Sequence, residues 1–570
     1  MSPAPRIYTS HVPDVQVHNT SIFTYLFGSR AGPDDVGGHS GSKNALIDAA
    51  TGTTITRSQL KDICLSFAHG IRTHPTTRPF ANRGDTILIF SPNSLAWPVV
   101  MHGAIAAGIR CTLANSAYTS HELAFQYQNS GANLVLTSEE GITVVRDMFT
   151  DCGIPGRLVS LPDLLSLGTM EKEESFDGTA DTETTLLCYS SGTTGNPKST
   201  HQNMTTVSEL NKTVTAPIDP GRPILAVLPF YHILGVGNTL IGMFSYGCCI
   251  VIQARFDPIE FCANIEKYRV IFSYLVPPML VVLARHPVVD KYDLSSLEYM
   301  LSAGAPLGAD LIEAVRKRLL SKRKPGAKCF IMQGYGLTET SPSTHAVDWD
   351  SSIIKMGSCG YLLPNLKARL VVDEDGEVDA EEGKPGELWV QGKTVLQGYL
   401  NNREATQNSI TPDGWFKTGD IAMRDNDGYW YIVDRKKELI KYKLFGTQGF
   451  QVPPAELEAV LLTHPDIADV GVIGINSAEQ ATELPRAYVV HANPGKVKTA
   501  QAKAEFGQSV AKWIKSRVAR HKYLRAGVAV IDVVPKSAAG KILRKELRER
   551  AKQEAARGEI DGAYQPKAKL

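Results

Sequence analysis

Short β-rich runs alternate with longer helical patterns along most of this chain. The segments 86–90 (TILIF) and 133–137 (NLVLT) read as strands, whereas 94–108 and 307–320 read as helices. Such alternation indicates α/β layers with largely parallel sheets. With 570 residues the chain is too long for one hydrophobic core, so two or more domains are expected.

The C-terminal quarter has a different pattern, which indicates a separate small α+β domain. A strand-like run at 428–433 is followed by a basic run at 435–443. Beyond it the sequence predicts helices at 454–463 and 500–519, and strands at 469–473, 487–490 and 528–533. We therefore predict one domain over residues 1–434 and a second over residues 435–570.

Charge and composition exclude several classes of function. A formal charge of +1 gives no overall basic field, so no nucleic-acid partner is expected. The apolar segment 224–252 contains Pro229, His232 and Asn238, so we interpret it as buried strands and helix and expect no membrane span. No secretory signal is expected at the N-terminus. Nine cysteines without metal-binding spacing predict reduced, mostly buried thiols.

The segment 189–198 (YSSGTTGNPK) has the composition of a phosphate-binding loop. Glycine lets backbone N–H groups approach phosphate oxygens, hydroxyls donate further hydrogen bonds, and lysine supplies charge. The alternative is an ordinary polar surface turn, and the spacing is not that of a Walker loop. The candidate phosphate-binding residues are Ser190, Ser191, Gly192, Thr193, Thr194 and Lys198.

This segment resembles the signature loop of the adenylate-forming, or AMP-binding, superfamily. Six further matches follow in the family's order, at 228–232, 302–307, 333–339, 414–420, 433–435 and 535–541. The pattern is most similar to that of 4-coumarate–CoA ligase-like acyl-CoA synthetases. The resemblance implies a large N-terminal domain of layered, parallel-rich sheets and helices, joined to a small mobile α+β domain.

The resemblance also implies which residues bind the nucleotide. Asp420 matches the carboxylate that binds the ribose hydroxyls, and Arg435 matches an arginine that contacts phosphate or ribose. Thr338 matches a phosphate ligand, and Glu339 matches the Mg²⁺ ligand, a hard carboxylate suited to a hard cation. The segment lining the adenine face consists of Gln333, Gly334 and Tyr335.

Two residues are implied to act at the reacting carboxylate. Lys541 matches the family's mobile catalytic lysine, although its neighbours Lys536, Arg544 and Lys545 alone would indicate a solvated basic helix face. His232 matches a position that guards the acyl site, although a lone histidine in an apolar run is usually a core residue.

The acyl-binding wall is implied to include Tyr231, Ser302, Gly304 and Leu337. Leu301 stands beside them where coumarate ligases can carry a lysine, which suggests a less polar acid. A substituted aromatic acid and a medium-chain fatty acid fit this pattern equally well.

The segment after Arg435 is implied to serve domain rotation and thiol transfer. Lys437 matches the hinge, and the further matched cofactor-binding positions are Lys441, Lys443, Gly449 and Gln451. The chain departs from its relatives at residues 444–448 (LFGTQ), which separate Lys443 from Gly449. This insertion is a harmless loop, an obstruction of the thiol tunnel, or the product of an imperfect gene model.

The function implied is ATP-dependent activation of a carboxylic acid as acyl-AMP, followed by transfer to coenzyme A, with Mg²⁺ as cofactor. The alternatives are an acyl-AMP ligase that loads a carrier protein, a luciferase-like oxygenase, and a catalytically altered or scaffold member. The residues 568–570 (AKL) resemble a peroxisomal targeting tripeptide, so we expect recognition by a peroxisomal import receptor, and otherwise a cytoplasmic location.

Overall fold

The computed structural model describes residues 5–156, 158–189, 197–214, 218–442, 450–477, 482–537 and 540–560. Within these ranges the helices are α1 (Ile22–Phe27), α2 (Arg57–Thr73), α3 (Ala96–Ala106), α4 (Ser120–Ser130), α5 (Ile142–Asp151), α6 (Leu161–Leu165), α7 (His201–Lys212), α8 (Pro258–Tyr268), α9 (Pro277–Arg285), α10 (Ala309–Leu320), α11 (Ser351–Ile354), α12 (Arg403–Ser409), α13 (Pro454–Leu462), α14 (Ala500–Ile514) and α15 (Arg544–Ala556).

The strands of the first half of the chain are β1 (Tyr8–Thr9), β2 (Asp35–Val36), β3 (His39–Ser40), β4 (Asn44–Asp48), β5 (Thr54–Thr56), β6 (Thr86–Phe90), β7 (Arg110–Ala114), β8 (Ala132–Thr137), β9 (Thr184–Cys188), β10 (Lys198–Thr200), β11 (Pro223–Ala226), β12 (Cys249–Ile252) and β13 (Phe272–Leu275). Those of the second half are β14 (Tyr299–Ser302), β15 (Phe330–Gly336), β16 (Ser343–Ala346), β17 (Tyr361–Leu362), β18 (Lys367–Val371), β19 (Gly386–Gln391), β20 (Phe416–Arg424), β21 (Trp430–Arg435), β22 (Ile440–Tyr442), β23 (Phe450–Val452), β24 (Ile467–Ser477), β25 (Thr482–His491) and β26 (Val528–Val530).

A nine-stranded sheet forms the centre of the large domain, in the order β17-β16-β15-β14-β13-β11-β12-β4-β5. Its six inner strands from β15 to β4 are parallel to one another, and the strands at both edges are antiparallel. Parallel strands buried on both faces read as continuous apolar runs, as in β12 and β13, whose residues are all buried. Ligands of such sheets bind beyond the carboxyl ends of the strands.

The large domain also contains two five-stranded sheets and a short two-stranded sheet of β2 and β3. One, in the order β10-β9-β7-β6-β8, is parallel except for its edge strand β10. The other, in the order β1-β18-β19-β20-β21, is antiparallel throughout. Helix α3 is apolar on all sides and has ten of its eleven residues buried, which fits a helix packed between layers.

The small domain has its own hydrophobic core, built from residues between Ile440 and Ile560. Its sheet, β24-β25-β26, packs against α13, α14 and α15. Strand β21 ends at Arg435, and the boundary that we placed between residues 434 and 435 stays a prediction.

Most of the individual elements predicted from the sequence are present, with shifted ends. The helix predicted at 500–519 ends at Ile514, because Lys515 begins a short irregular segment that leads to a 3₁₀ turn at Arg520–Lys522. The apolar segment 224–252 forms β11, a π-helical stretch (Leu234–Met243) and β12. Among the described helices, none has both the length and the apolar character needed to cross a membrane. All nine cysteines are free thiols, and eight of them are buried.

Candidate functional site

A cavity of about 990 Å³ lies where the carboxyl-end loops of the nine-stranded sheet face the small domain. The segment after β14 and the end of β15 form part of its wall, as the parallel strand order requires. The small domain closes the other side with the turn that carries Lys541. The predicted residues that line the cavity are His232, Tyr231, Gly304, Gln333, Gly334, Tyr335, Leu337, Thr338, Glu339, Asp420, Arg435, Lys437, Lys441 and Lys541.

Asp420 and Tyr335 form a hydrogen-bonded pair on one wall of the cavity. The Tyr335 hydroxyl donates to Asp420 Oδ2 at 2.6 Å, and Arg435 Nε lies 3.5 Å from Asp420 Oδ1. Burial raises the pKa of the Asp420 carboxyl, which is 5% exposed, while Arg435 and Tyr335 oppose that rise. Register places Asp420 opposite Arg435 in β20 and β21, so the sheet itself holds this pair. A carboxylate held in this way is an acceptor suited to a diol.

Glu339 projects into the same cavity from a 3₁₀ turn, Thr338–Thr340, at the end of β15. Its Oε1 accepts a hydrogen bond from the Tyr399 hydroxyl at 3.2 Å. Burial raises the pKa of this carboxyl, and the positive charges of Lys541 and Arg435 lower it. Tyr399 was not identified from the sequence as a partner of Glu339, because it lies in none of the matched motifs.

His232 presents a neutral imidazole to the cavity. Burial lowers its pKa to about 4, and the charge of Lys541 acts in the same direction. Its Nδ1 accepts a hydrogen bond from the Leu234 backbone N–H at 3.3 Å, so the ring proton belongs on Nε2. His232 is therefore a hydrogen-bond donor without charge at neutral pH.

Lys541, a residue of the small domain, also lines the cavity. Its turn is closed by two hydrogen bonds with Ser537, from the Ser537 backbone N–H to the Lys541 carbonyl at 2.8 Å and from the Lys541 N–H to Ser537 Oγ at 3.2 Å. The pKa of Lys541 is lowered to about 8, first by burial and then by the charge of Arg435, while the charges of Asp420 and Glu339 oppose this shift. A desolvated cation near two carboxylates and an arginine is typical of a functional site.

This pKa predicts an alkaline limit to activity. Because the charged lysine is the form present below its pKa, kcat/KM for ATP should fall as pH rises through about 8. Arginine keeps its proton throughout this range, so Lys541→Arg should remove that decline even if its activity is lower. The measurement is the pH profile of acid-dependent pyrophosphate exchange for both proteins. An alkaline limb that persists unchanged in Lys541→Arg would assign the limb to another group.

The other walls of the cavity contain both apolar and polar residues. Leu301, Phe272 and Met332 provide apolar surface, and Gly334 leaves space in which a Cβ would lie 3.5 Å from Leu301 Cδ2. Asn238 and Ser343 add a polar pair, joined by a hydrogen bond of 3.4 Å from Asn238 Nδ2 to Ser343 Oγ. Neither was identified from the sequence, since an isolated amide or hydroxyl in an apolar run carries no recognisable spacing.

Three described residues among the predicted set do not line the cavity. Ser302 is 1% exposed, and its Oγ has no hydrogen-bond partner among the described residues. Lys198 begins β10, where its N–H donates to the Gly398 carbonyl at 3.1 Å, and Gln451 lies exposed on β23. The prediction that Ser302 forms part of the acyl wall is therefore not supported by its position.

Several predicted residues lie outside the described ranges. They are Ser190, Ser191, Gly192, Thr193 and Thr194 of the phosphate-binding loop, Lys443 and Gly449, the insertion 444–448, and the tripeptide 568–570. Their assignments stay predictions.

Comparison with known proteins identifies two family models in this chain. Residues 34–400 match the model described as AMP-binding enzyme, and residues 456–541 match the one described as AMP-binding enzyme C-terminal domain. A 4-coumarate–CoA ligase-like protein of Oryza sativa subsp. japonica is 35% identical over 522 residues, which cover 88% of this chain and 89% of that protein. 4-Coumarate–CoA ligase 1 of Petroselinum crispum is 34% identical over 568 residues, which cover 95% of this chain and 96% of that protein.

Solved structures show the same fold. The o-succinylbenzoate CoA synthetase of Bacillus subtilis, in complex with its acyl-adenylate, is 26% identical with a TM-score of 0.73, covering 89% of this chain and 95% of that one. A benzoate CoA ligase from Burkholderia xenovorans has a TM-score of 0.77 at 23% identity, and the match covers 93% of this chain and 99% of that one. With both family models in sequence order, relatives aligned over most of the chain and the cavity closed by the small domain's lysine, this chain belongs to the AMP-binding enzyme family.

Proposed function

We propose that this protein activates a carboxylic acid with ATP to give an acyl-adenylate and pyrophosphate, and then transfers the acyl group to coenzyme A. The observation that carries the proposal is the meeting of Lys541, from the small domain, with Asp420, Glu339 and His232 in one cavity. The relatives named as CoA ligases support coenzyme A as the acceptor.

The first step joins a carboxylate oxygen of the acid to the α-phosphorus of ATP. The bond from that phosphorus to the bridging oxygen of the β-phosphate breaks, and pyrophosphate leaves with its electron pair. Negative charge accumulates around the α-phosphate and the attacking carboxylate, where the Lys541 ammonium and the His232 Nε2–H can donate. Asp420 is placed to accept from the ribose hydroxyls and so to fix the nucleotide.

The second step forms the thioester. The thiol sulfur attacks the acyl carbon, the acyl–oxygen bond breaks, and AMP leaves carrying the former carboxylate oxygen. The thiol proton is released to solvent or to a base.

Glu339 fits the requirements of a magnesium site. Mg²⁺ in nucleotide enzymes is usually held by one or two carboxylates together with substrate phosphates and water. The Glu339 carboxylate is buried, faces the cavity and has Tyr399 as its hydrogen-bond partner, which leaves lone pairs for a cation. Bound there, Mg²⁺ would neutralise phosphate charge; Glu339 and Thr338 are the residues that we propose to hold the metal and the phosphate.

The test is pyrophosphate exchange with a panel of aromatic and medium-chain acids, with and without coenzyme A. The proposal predicts acid-dependent exchange without a thiol, and AMP together with a thioester when coenzyme A is added. Exchange without thioester would favour a carrier protein as the acceptor. ATP binding without exchange for any acid would favour a scaffold role and contradict the proposal.

The insertion 444–448 is predicted to slow the second step. Its described neighbours Tyr442 and Phe450 are paired in the β22–β23 ladder, and Lys441 pairs with Gln451. Deleting the five residues leaves Lys443 and Gly449 between the paired strands, which is the length of a two-residue hairpin loop. We expect the deletion to raise thioester formation without changing pyrophosphate exchange.

Single-turnover transfer from preformed acyl-adenylate to coenzyme A, in parent and deletion proteins side by side, measures this effect. Equally fast transfer in both would show that the insertion is a silent loop.

We further propose that the protein is imported into peroxisomes through residues 568–570, in keeping with the small–basic–leucine form of that address. Fluorescent protein fused at the N-terminus, with and without the tripeptide, tests this. Cytosolic fluorescence in both fusions would contradict it.

A further inference from the structure

A chain of contacts, in which helix α13 links two groups of buried hydrogen bonds, joins the large domain to the turn that carries Lys541. It starts at Asp434 in β21, whose side chain is 5% exposed. Asp434 Oδ2 accepts a hydrogen bond from the Ala455 backbone N–H at 2.9 Å, although the two residues are 21 positions apart. Ala455 lies in the first turn of α13, so a large-domain carboxylate satisfies a small-domain helix N-terminus.

That contact replaces a local helix cap. The residue before α13 is Pro453, which makes no side-chain capping hydrogen bond, and Pro454 has no N–H to donate. An aspartate at a helix N-terminus is favoured both by the hydrogen bond and by the helix dipole. The Asp434 contact therefore fixes how α13, and the domain built on it, approaches the active site.

The chain continues through Glu458 on α13 to Arg544. Arg544 Nη2 lies 2.7 Å from both carboxylate oxygens of Glu458, and Arg544 Nε donates to the Val472 carbonyl at 3.1 Å. Glu458 Oε1 also accepts from the Val472 N–H at 2.8 Å. Arg544 is three residues beyond Lys541 and begins α15, so these bonds fix the end of the lysine's turn.

We propose that Asp434 and Arg544 are positioning residues for Lys541, acting through Glu458 as one relay that holds the catalytic turn against the large domain. The inference rests on the proposed function, because it assigns the relay to the step in which Lys541 acts. It explains why three charged side chains, Asp434, Glu458 and Arg544, are brought together at the rim of the cavity. Removing either end of the relay would leave the lysine present but misplaced.

A double-mutant cycle with Lys541→Ala tests the relay. Asp434→Ala and Arg544→Met should each lower kcat for pyrophosphate exchange about tenfold, a loss typical of misplaced catalytic groups. In the Lys541→Ala background the same changes should cost less than about threefold, because residues that act through one another are not additive. The matched control is Asp379→Ala, which breaks a buried ion pair with Arg369 away from the cavity, at 2.9 Å, and should be additive with Lys541→Ala.

A second readout is the alkaline limb assigned to Lys541. A lysine released from its desolvated position should have a pKa closer to that of a free lysine, about 10.4. In Asp434→Ala, the pH at which exchange activity declines should therefore rise above its original value of about 8. Asp434→Asn keeps an acceptor for the Ala455 N–H and should retain most of the exchange activity. If Asp434→Ala does not fold, Asp434→Asn takes its place in the test.

Full additivity with Lys541→Ala, or a limb that stays near its original pH, would overturn the relay. Absence of acid-dependent exchange in the parent protein would instead contradict the proposed function.

Discussion

Lys541→Ala is expected to cause a large loss of acyl-adenylate formation while ATP binding persists. The side chain meets the charge that develops on the α-phosphate, and loss of such a group costs about 3 kcal/mol or more in the barrier. That is a decrease of at least about 100-fold in rate. Because Lys541 is half-buried at the cavity and belongs to neither main hydrophobic core, its removal leaves no core cavity, and stability should change little.

The matched control for this variant is Lys536→Ala. Lys536 lies on the same turn but pairs with Asp469 at 2.6 Å and does not line the cavity. Acid-dependent pyrophosphate exchange should therefore be nearly lost in Lys541→Ala and retained in Lys536→Ala, with similar melting temperatures. Exchange within about tenfold of the parent in Lys541→Ala would show that the lysine has another role.

Lys437→Pro is expected to separate the two half-reactions. Lys437 is exposed, lies two residues beyond the last strand of the large domain, and has a negative φ. Proline fixes φ near −65°, so it would prevent the backbone rotation that the family resemblance assigns to this hinge. Pyrophosphate exchange should stay within about threefold of the parent, while transfer to coenzyme A should fall at least about tenfold.

Lys437→Ala controls for loss of the lysine charge, which lies near Lys541. It should leave both half-reactions close to those of the parent, because alanine does not restrict φ. An equal loss in both half-reactions of the proline variant would place the hinge elsewhere.

The sequence could predict the fold class because its strands are continuous apolar runs and its helices are long. Segment 86–90 coincides with β6, and the helix expected at 307–320 is α10, Ala309–Leu320. The end of α14 was not predictable, since Lys515 and the residues after it are as helix-forming as those before Ile514.

The residues predicted for the candidate site came from motifs that resemble those of the family, and their roles stay predictions. Thr338, Glu339, Asp420 and Lys541 come from three separate segments, yet all line one cavity. Tyr399, Asp434 and Arg544 could not be assigned, because their roles depend on partners 60, 21 and 86 residues away in the chain. Ser302 does not line the cavity although its neighbour Leu301 does, because successive side chains of a strand point to opposite faces of the sheet.

The central claim is that the reaction passes through an acyl-adenylate, and isotope labelling of the substrate carboxylate tests it most directly. A carboxylic acid that the protein uses as a substrate is labelled with ¹⁸O in its carboxylate and incubated with the protein, ATP, Mg²⁺ and coenzyme A. The mass of each product is then measured by mass spectrometry. Attack of the carboxylate on the α-phosphorus predicts one ¹⁸O in AMP for each thioester formed, and none in pyrophosphate. Label in inorganic phosphate, or thioester formed with unlabelled AMP, would contradict an acyl-adenylate intermediate.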